Sequence, residues 1–380
     1  MNYRTLGKTG IKTSILGFGA MRLPTTDPKD PSLIDEELAV KIIRQGIDGG
    51  INYIDSAYVY HRQQSEVIVG KALKDGYREK VAIQTKSPLR MINSPEDFDK
   101  FLEEELGRLQ VKTIDVYLFH GLKKETYENK VLKFDLLEKA KLAKKDGKIK
   151  HLGFSSHDKN ENVIDLLDTN EFESILLQRN ILDENYTEAI NHAGKKGIGV
   201  CIMGPVAGGR LALEPPKDLV NCLTPGKETF TDLAFKFVWS NPNVSLALSG
   251  MNTEQMVADN LAFASANEIT LNSEEKIRVD KISQVYKQLS DLICTQCGYC
   301  LPCEQEVSIT QILKQLIHWQ VYGWEKAKDF YNSIGNSPMF PGKNATACIE
   351  CGECEDKCPQ GIPIIEKLKE AHDILAIKED

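Results

Sequence analysis

An α/β chain of eight strand–helix units closing into a (β/α)8 barrel, with a small α-helical domain behind it, is the architecture this sequence predicts. Three observations carry the expectation. Short apolar runs alternate with amphipathic stretches from about residue 14 to about residue 264. Eight such units over about 250 residues is the usual span of a closed barrel. Beyond them the alternation stops, and eight of the ten cysteines fall between Cys294 and Cys358. At 380 residues the chain also exceeds the size at which a single core stops growing.

The elements follow in order. "YRTLGKTGIKTS" places β-prone runs either side of a Gly-containing turn, which predicts a small N-terminal hairpin. The barrel strands are expected at 14–18, 52–55, 81–85, 114–119, 149–154, 174–178, 199–202 and 244–248. Between them "DEELAVKIIRQGIDGG", "PEDFDKFLEEELGRLQ", "DLLEKAKLAKKDGK" and "ENVIDLLDTNEF" repeat their apolar residues at helical spacing. A doubly wound open sheet is the competing architecture. Its glycine fingerprint is incomplete, because "LGFGAMRLP" has Gly17 and Gly19 but no third glycine in register. After residue 270, "NSEEKIRVDKISQVYKQLSD", "SITQILKQLIHWQVYG", "WEKAKDFYNSI" and "PIIEKLKEAHDILAI" read as helices. The expected division is a barrel over 1–270 and a helical domain over 271–380.

Composition narrows the function classes. A formal net charge of −8 argues against a nucleic-acid surface, which needs clustered Lys and Arg. No apolar run reaches the roughly 18 residues of a bilayer span, and "MNYRTLGKTG" lacks a signal-peptide core. A cytoplasmic protein without a nucleic-acid or membrane partner is expected. In a reducing cytosol, ten cysteines point to metal ligands or redox groups rather than disulfides.

Barrel enzymes carry their chemistry at the C-terminal ends of the strands. Three consecutive strands end in ionisable residues: Asp55 after "NYI", Lys86 after "VAIQT" and His120 after "VYLF". Tyr60 follows in the loop "SAYVYH". A free tyrosine titrates near 10, too high for proton donation at neutral pH, and a neighbouring ammonium favours the phenolate and brings that value down. An aspartate keeps the lysine charged and in place. Asp55, Lys86 and Tyr60 thus predict a tuned general acid, with His120 orienting the substrate oxygen or relaying the proton.

"GINYIDSAYVYHRQQSEVIVGKAL", "QTK" and "DVYLFH" resemble the aldo/keto reductase family, as do "LGFSSHD", "LLQRNILD" and "GPVAGGRL" further on. The resemblance maps the family's tetrad onto Asp55, Tyr60, Lys86 and His120. It implies hydride transfer from NADP or NAD in reduced form to an aldehyde or ketone, or the reverse oxidation of an alcohol. By family position, Ser155, Ser156 and Gln178 hold the nicotinamide carboxamide and Asn260 the adenine. The phosphate-binding rim of such barrels uses the last two strand-end loops, here "GPVAGGRLALEPPKD" and "SGMNTEQMVADN". The candidates there are Pro205, Gly208, Gly209, Ser249, Asn252, Thr253 and Gln255, with Thr253 expected to cap the following helix. Two departures stand out. Met203 occupies the place where many members stack an aromatic ring, and "SGMNTEQ" lacks a cation for a 2′-phosphate, with Arg210 the candidate substitute.

Cys348, Cys351, Cys354 and Cys358, followed by Pro359, fit the C-x2-C-x2-C-x3-C-P run of bacterial ferredoxins. Cys294, Cys297, Cys300 and Cys303 repeat it with the last gap one residue shorter. In two-cluster ferredoxins the fourth cysteine of each run serves the other centre. That pattern predicts two [4Fe–4S] clusters, one on Cys294, Cys297, Cys300 and Cys358, the other on Cys348, Cys351, Cys354 and Cys303. One cluster with spare thiols is the alternative, and zinc would leave the third cysteine of each run surplus. Barrel and tail together resemble a branch of the aldo/keto reductases with a C-terminal ferredoxin-like domain. Two functions follow as expectations: a carbonyl reductase whose clusters brace the C-terminal helices, or an electron-transfer enzyme exchanging electrons with a ferredoxin-type partner and a barrel-bound nicotinamide or flavin, such as FMN. A non-catalytic redox sensor on the same scaffold fits an intact tetrad poorly.

Overall fold

A computed structural model describes residues 1–27, 30–214, 217–224, 228–337 and 340–377. The chain divides into two compact units. The first comprises Met1–Pro205 with Phe235–Leu271, the second Val206–Ala234 with Asn272–Asp380. The segment 206–234, within the seventh strand-end loop of the sequence reading, groups with the second unit.

In the first unit, β1 (Tyr3–Thr5) and β2 (Lys12–Ser14) form an antiparallel hairpin. Eight parallel strands then close a barrel: β3 (Leu16–Gly19), β4 (Tyr53–Asp55), β5 (Ala82–Ser87), β6 (Ile114–Phe119), β7 (Ile149–Ser155), β8 (Ser174–Gln178), β9 (Gly199–Met203) and β10 (Leu246–Ser249), with β10 pairing both β9 and β3. Each expected strand is present. Helices connect them, among them Glu36–Asp48, Pro95–Leu109, Leu136–Lys145 and Asn160–Asp168. Their starts follow the sequence cues. Asp35 accepts the Leu38 N–H at 3.1 Å, and Ser94 with Asp97 forms a capping box ahead of Pro95.

Inside the barrel, Tyr53, Val116, Leu118, Leu176, Cys201, Leu246 and Leu248 pack with Leu6 of the hairpin. Side chains two residues apart on a strand share a face. The next inward positions toward the C-terminal rim are therefore Asp55, His120, Gln178 and Met203. The hairpin plugs the opposite end. Leu6 is fully buried against Gly199, where a Cβ would come within 2.5 Å of the Leu6 side chain, and the Lys8 N–H donates to Gly197 O at 2.8 Å. Arg4 donates to the carbonyls of Trp239 and Val244, both at 2.7 Å, tying the hairpin to the end of helix Phe230–Trp239. With the N-terminal end sealed, the C-terminal rim is the end left for chemistry.

The second unit is helical: Ser273–Leu289, Ile309–Tyr322, Lys326–Asn332 and Ile364–Leu375. Asn272 and Glu275 make a reciprocal capping box at the first helix, both bonds 2.9 Å, and Gly323 in the left-handed region (φ 60°) ends the second. Gln320 donates to Glu370 at 2.6 Å, and the Tyr331 hydroxyl lies 2.8 Å from His372 Nδ1, joining the last three helices. No helix among the described residues is long and apolar enough to cross a membrane.

Candidate active site and thiol groups

Strand β4 delivers Asp55, β5 delivers Lys86, and the short turn after β4 begins at Tyr60. Lys86 is 1 % exposed and Asp55 4 %. The ammonium donates to both Asp55 oxygens (2.7 and 2.8 Å), to Ser56 O (2.7 Å) and to the Tyr60 hydroxyl oxygen (3.1 Å). Its three hydrogens are thereby committed, one of them to Tyr60. Because the phenol oxygen accepts from Lys86, its own hydrogen is directed elsewhere. Burial raises the Asp55 carboxyl above its ordinary value, while the Lys86 charge and the bonds from Gln84 and Lys86 oppose that rise. Salt-bridged and multiply hydrogen-bonded, the pair meets the condition under which a buried charge is tolerated.

His120 follows β6 at the rim, its ring 5.9 Å from that of Tyr60 and almost perpendicular to it at 87°. Desolvation, then the Lys86 charge, hold its imidazole well below the ordinary value of 6.5, so it is neutral at neutral pH. Its loop is braced from β7. The Ser155 hydroxyl accepts the Gly121 N–H at 2.9 Å, and Ser156 donates to Leu122 O at 2.7 Å. All four residues of the expected tetrad thus meet at one rim.

A relay beneath the tetrad escaped the sequence reading. Gln84 donates to Asp55 Oδ1 at 2.6 Å, and Tyr53 donates to Gln84 Oε1 at 2.8 Å. Cys201 Sγ lies 3.9 Å from the Tyr53 hydroxyl. Two-residue alternation was the available signal, since Tyr53 sits two before Asp55 and Gln84 two before Lys86. Arg22 also went unnoticed; its aliphatic stem lies over Gly250, where a Cβ would meet it at 3.2 Å.

The remaining rim candidates have defined surroundings. Gln178, ending β8, donates to Asp183 at 2.7 Å. Asn260 donates to the Ser249 hydroxyl at 2.8 Å, both buried. Thr253 caps helix Glu254–Ser265 by accepting the Met256 N–H at 3.2 Å, as its position implied. Gln255 bonds Asp259 at 2.8 Å, and Asn252 is exposed. Pro205 closes the first stretch of the barrel unit. Gly208 and Gly209 have positive φ (70° and 103°). A Cβ on Gly208 would lie 2.7 Å from Thr295 O, so a glycine there is required by the approach of that backbone within the second unit. Residues 215 and 216 of the same quoted loop lie outside the described residues.

The eight C-terminal cysteines are free thiols of the second unit. Cys300 is pushed up to about 12 by burial, then by Cys297, Cys294 and Cys358. Cys294, also raised by burial, feels Cys297 and Cys358 as well. Cys300 and Cys303 line one cavity together with Cys348, Cys351 and Cys354. The two runs share a backbone form. Gln296 and Glu350 are left-handed (φ 55° and 59°), as are Gly298 and Gly352 (79° and 82°). The Gln296 N–H points to Cys294 Sγ, and the Glu350 N–H to Cys348 Sγ, each at 3.4 Å. Soft thiols gathered this way, with backbone N–H groups turned toward sulfur, fit an iron–sulfur centre.

The sequence profile of the 4Fe-4S dicluster domain matches residues 293–362. The chain is 26% identical to L-galactose dehydrogenase of Arabidopsis thaliana, over 76% of this chain and 96% of that one. It is 25% identical to the uncharacterized oxidoreductase YqkF of Bacillus subtilis, over 76% and 99%. The solved structure of aldo-keto reductase AKR11C1 from Bacillus halodurans, in its holo form, is 28% identical and superposes with a TM-score of 0.63, over 74% of this chain and 96% of that chain. With the profile of the aldo/keto reductase family matched over residues 15–284, this chain belongs to that family, as an oxidoreductase of the branch that carries a 4Fe-4S dicluster domain.

Proposed function

We propose that this oxidoreductase reduces an aldehyde or ketone with NADPH or NADH, or runs the reverse oxidation, with Tyr60 as general acid. The observation that carries the reading is the bond from the Lys86 ammonium to the Tyr60 oxygen. It sets a cation against the phenol oxygen, which would stabilise the phenolate left when the phenol proton passes to a substrate carbonyl. A bound reduced nicotinamide would supply the hydride to the carbonyl carbon. Tyr60 gives its proton to the carbonyl oxygen as the C=O π bond breaks, and the phenolate is reprotonated from solvent. Neutral His120, in edge contact with Tyr60, orients that oxygen as a hydrogen-bond donor. Asp55 holds Lys86 in place, and Gln84 keeps Asp55 in register. Ser155, Ser156 and Gln178 would hold the nicotinamide end, and Ser249, Thr253 and Asn260 the adenosine end. The test is steady-state reduction of a panel of small aldehydes and ketones by NADPH and NADH. Absence of nicotinamide oxidation across the panel, with either cofactor, counts against the reading.

The dicluster match favours a second reading, in which the clusters pass single electrons between a ferredoxin-type carrier and a cofactor of the barrel, a nicotinamide or FMN. Cluster-depleted protein separates the two. Full carbonyl turnover without iron supports bracing clusters, and loss of turnover supports electron transfer. For ligation we assign one [4Fe–4S] centre to Cys294, Cys297, Cys300 and Cys358. The other falls to Cys348, Cys351, Cys354 and Cys303.

A further inference from the structure

Arg210 is 8 % exposed, and its side chain donates to the carbonyl of Leu292, two residues before Cys294. Its Nε has no hydrogen-bond partner, and no carboxylate lies within ion-pair distance of it among the described residues. The acid nearest to that carbonyl in sequence, Asp291, is engaged by Lys367 at 2.7 Å. Two phenols stand nearby: Tyr322 donates to the Arg210 carbonyl at 3.1 Å, and its oxygen is 3.0 Å from that of Tyr286. Burial pushes both phenols up, so neither supplies a negative charge. The neighbouring backbone is pressed onto the same loop, with Gly208 against Thr295.

A guanidinium does not lose its proton in proteins, and an isolated charge out of water is costly unless an opposite charge meets it. Leu292 and Thr295, which Arg210 and Gly208 meet, flank Cys294, so a negatively charged centre held there would stand beside the guanidinium. A [4Fe–4S] centre with four thiolates carries net negative charge, and gains one more on reduction.

We infer that Arg210 is the buried counter-charge of the iron–sulfur centre held by Cys294, Cys297, Cys300 and Cys358, and that it raises this centre's reduction potential. The inference rests on the ligation proposed above. A fixed cation beside the centre favours the reduced, more negative state, as charge and hydrogen bonding near such clusters do generally. Its direction is fixed: removing the charge makes the centre harder to reduce.

The experiment is an EPR-monitored redox titration of anaerobically purified holoprotein, comparing the natural chain with Arg210→Met and Arg210→Lys. Iron and sulfide analysis of the natural chain comes first, because protein without iron refutes the ligation itself. With iron present, Arg210→Met should lower one of two midpoints by at least about tenfold in the reduction equilibrium, ~59 mV for a one-electron couple. Arg210→Lys should stay close to the natural value. The shift should persist in a Cys351→Ala background, which removes the other centre, and should be missing in a Cys297→Ala background. Unmoved midpoints in Arg210→Met, or equal shifts in Met and Lys, overturn the inference. Should Arg210→Met fail to hold the Cys294 centre, retention by Arg210→Lys supports the charge and loss by both overturns it.

Discussion

The Lys86 ammonium sits 3.1 Å from the Tyr60 hydroxyl and 2.7 Å from Asp55, and the same nitrogen lies 4.6 Å from the centre of the Tyr60 ring. One charge therefore serves two purposes. It faces a buried carboxylate, and under the proposed function it would stabilise the phenolate that proton donation leaves behind. Every substitution in this cluster should be read for both effects.

Tyr60→Phe removes the hydroxyl and leaves the ring and the Lys86–Asp55 pair. Carbonyl turnover should fall by about 10²–10⁴, the usual contribution of a positioned acid, with nicotinamide affinity within about twofold of the natural chain. Turnover is read by nicotinamide oxidation and affinity by fluorescence titration. Undiminished turnover would remove Tyr60 from the chemistry.

Lys86→Met leaves Asp55 buried without its cation. The expected cost is about 3–5 kcal/mol in stability, because a broken buried pair strands a charge. Adding Asp55→Asn to that variant should restore much of the stability but none of the activity. Denaturant melts of both single variants and the double variant provide the check. Additive losses would mean that the two side chains do not depend on one another.

Much of this site was legible because a barrel strand reports its rim by position. Asp55, Lys86 and His120 each end a strand in the sequence, and each ends up at one mouth. Tyr53 and Gln84 were equally available from alternation but lack the look of chemistry, so the relay under Asp55 emerged only from distances. Long-range packing hid the rest. Nothing near Gly208 or Arg210 in sequence announces that Leu292 and Thr295 press against them, because that contact joins segments some 80 residues apart. Glycine and arginine in a strand-end loop read naturally as phosphate ligands, and the tertiary neighbours that also shape them are visible only in the fold.

A second buried cluster makes stability fall with pH. Glu66 and Glu105 are fully buried side by side, with Thr85 donating to Glu66 at 2.6 Å and Tyr117 to Glu105 at 2.5 Å. Burial, and then the Glu66 charge, raise Glu105 well above the ordinary carboxylate value. The folded chain keeps a proton there that the unfolded chain releases above about pH 4.3. Stability is lost as pH climbs from that value toward the raised one. Glu105→Gln, neutral at every pH, should therefore gain thermal stability relative to the natural chain as pH rises from about 5 to 8. A stability difference that does not change with pH would contradict a proton kept on Glu105.

The ligation pattern can be separated from a run-by-run arrangement by pairing substitutions. If Cys358 serves the centre of Cys294, Cys297 and Cys300, then Cys358→Ala and Cys297→Ala damage the same centre. Each should lose about half the iron of a protein holding about eight irons, and the double variant should lose no more. Cys358→Ala with Cys351→Ala should lose nearly all of it, because the two residues then belong to different centres. The surroundings of Cys358 favour this outcome, as it acts on both Cys294 and Cys300. The opposite result, with Cys358 and Cys351 damaging a common centre, would assign each run its own cluster. It would also release the shortened gap before Cys303 from any part in crossing between them.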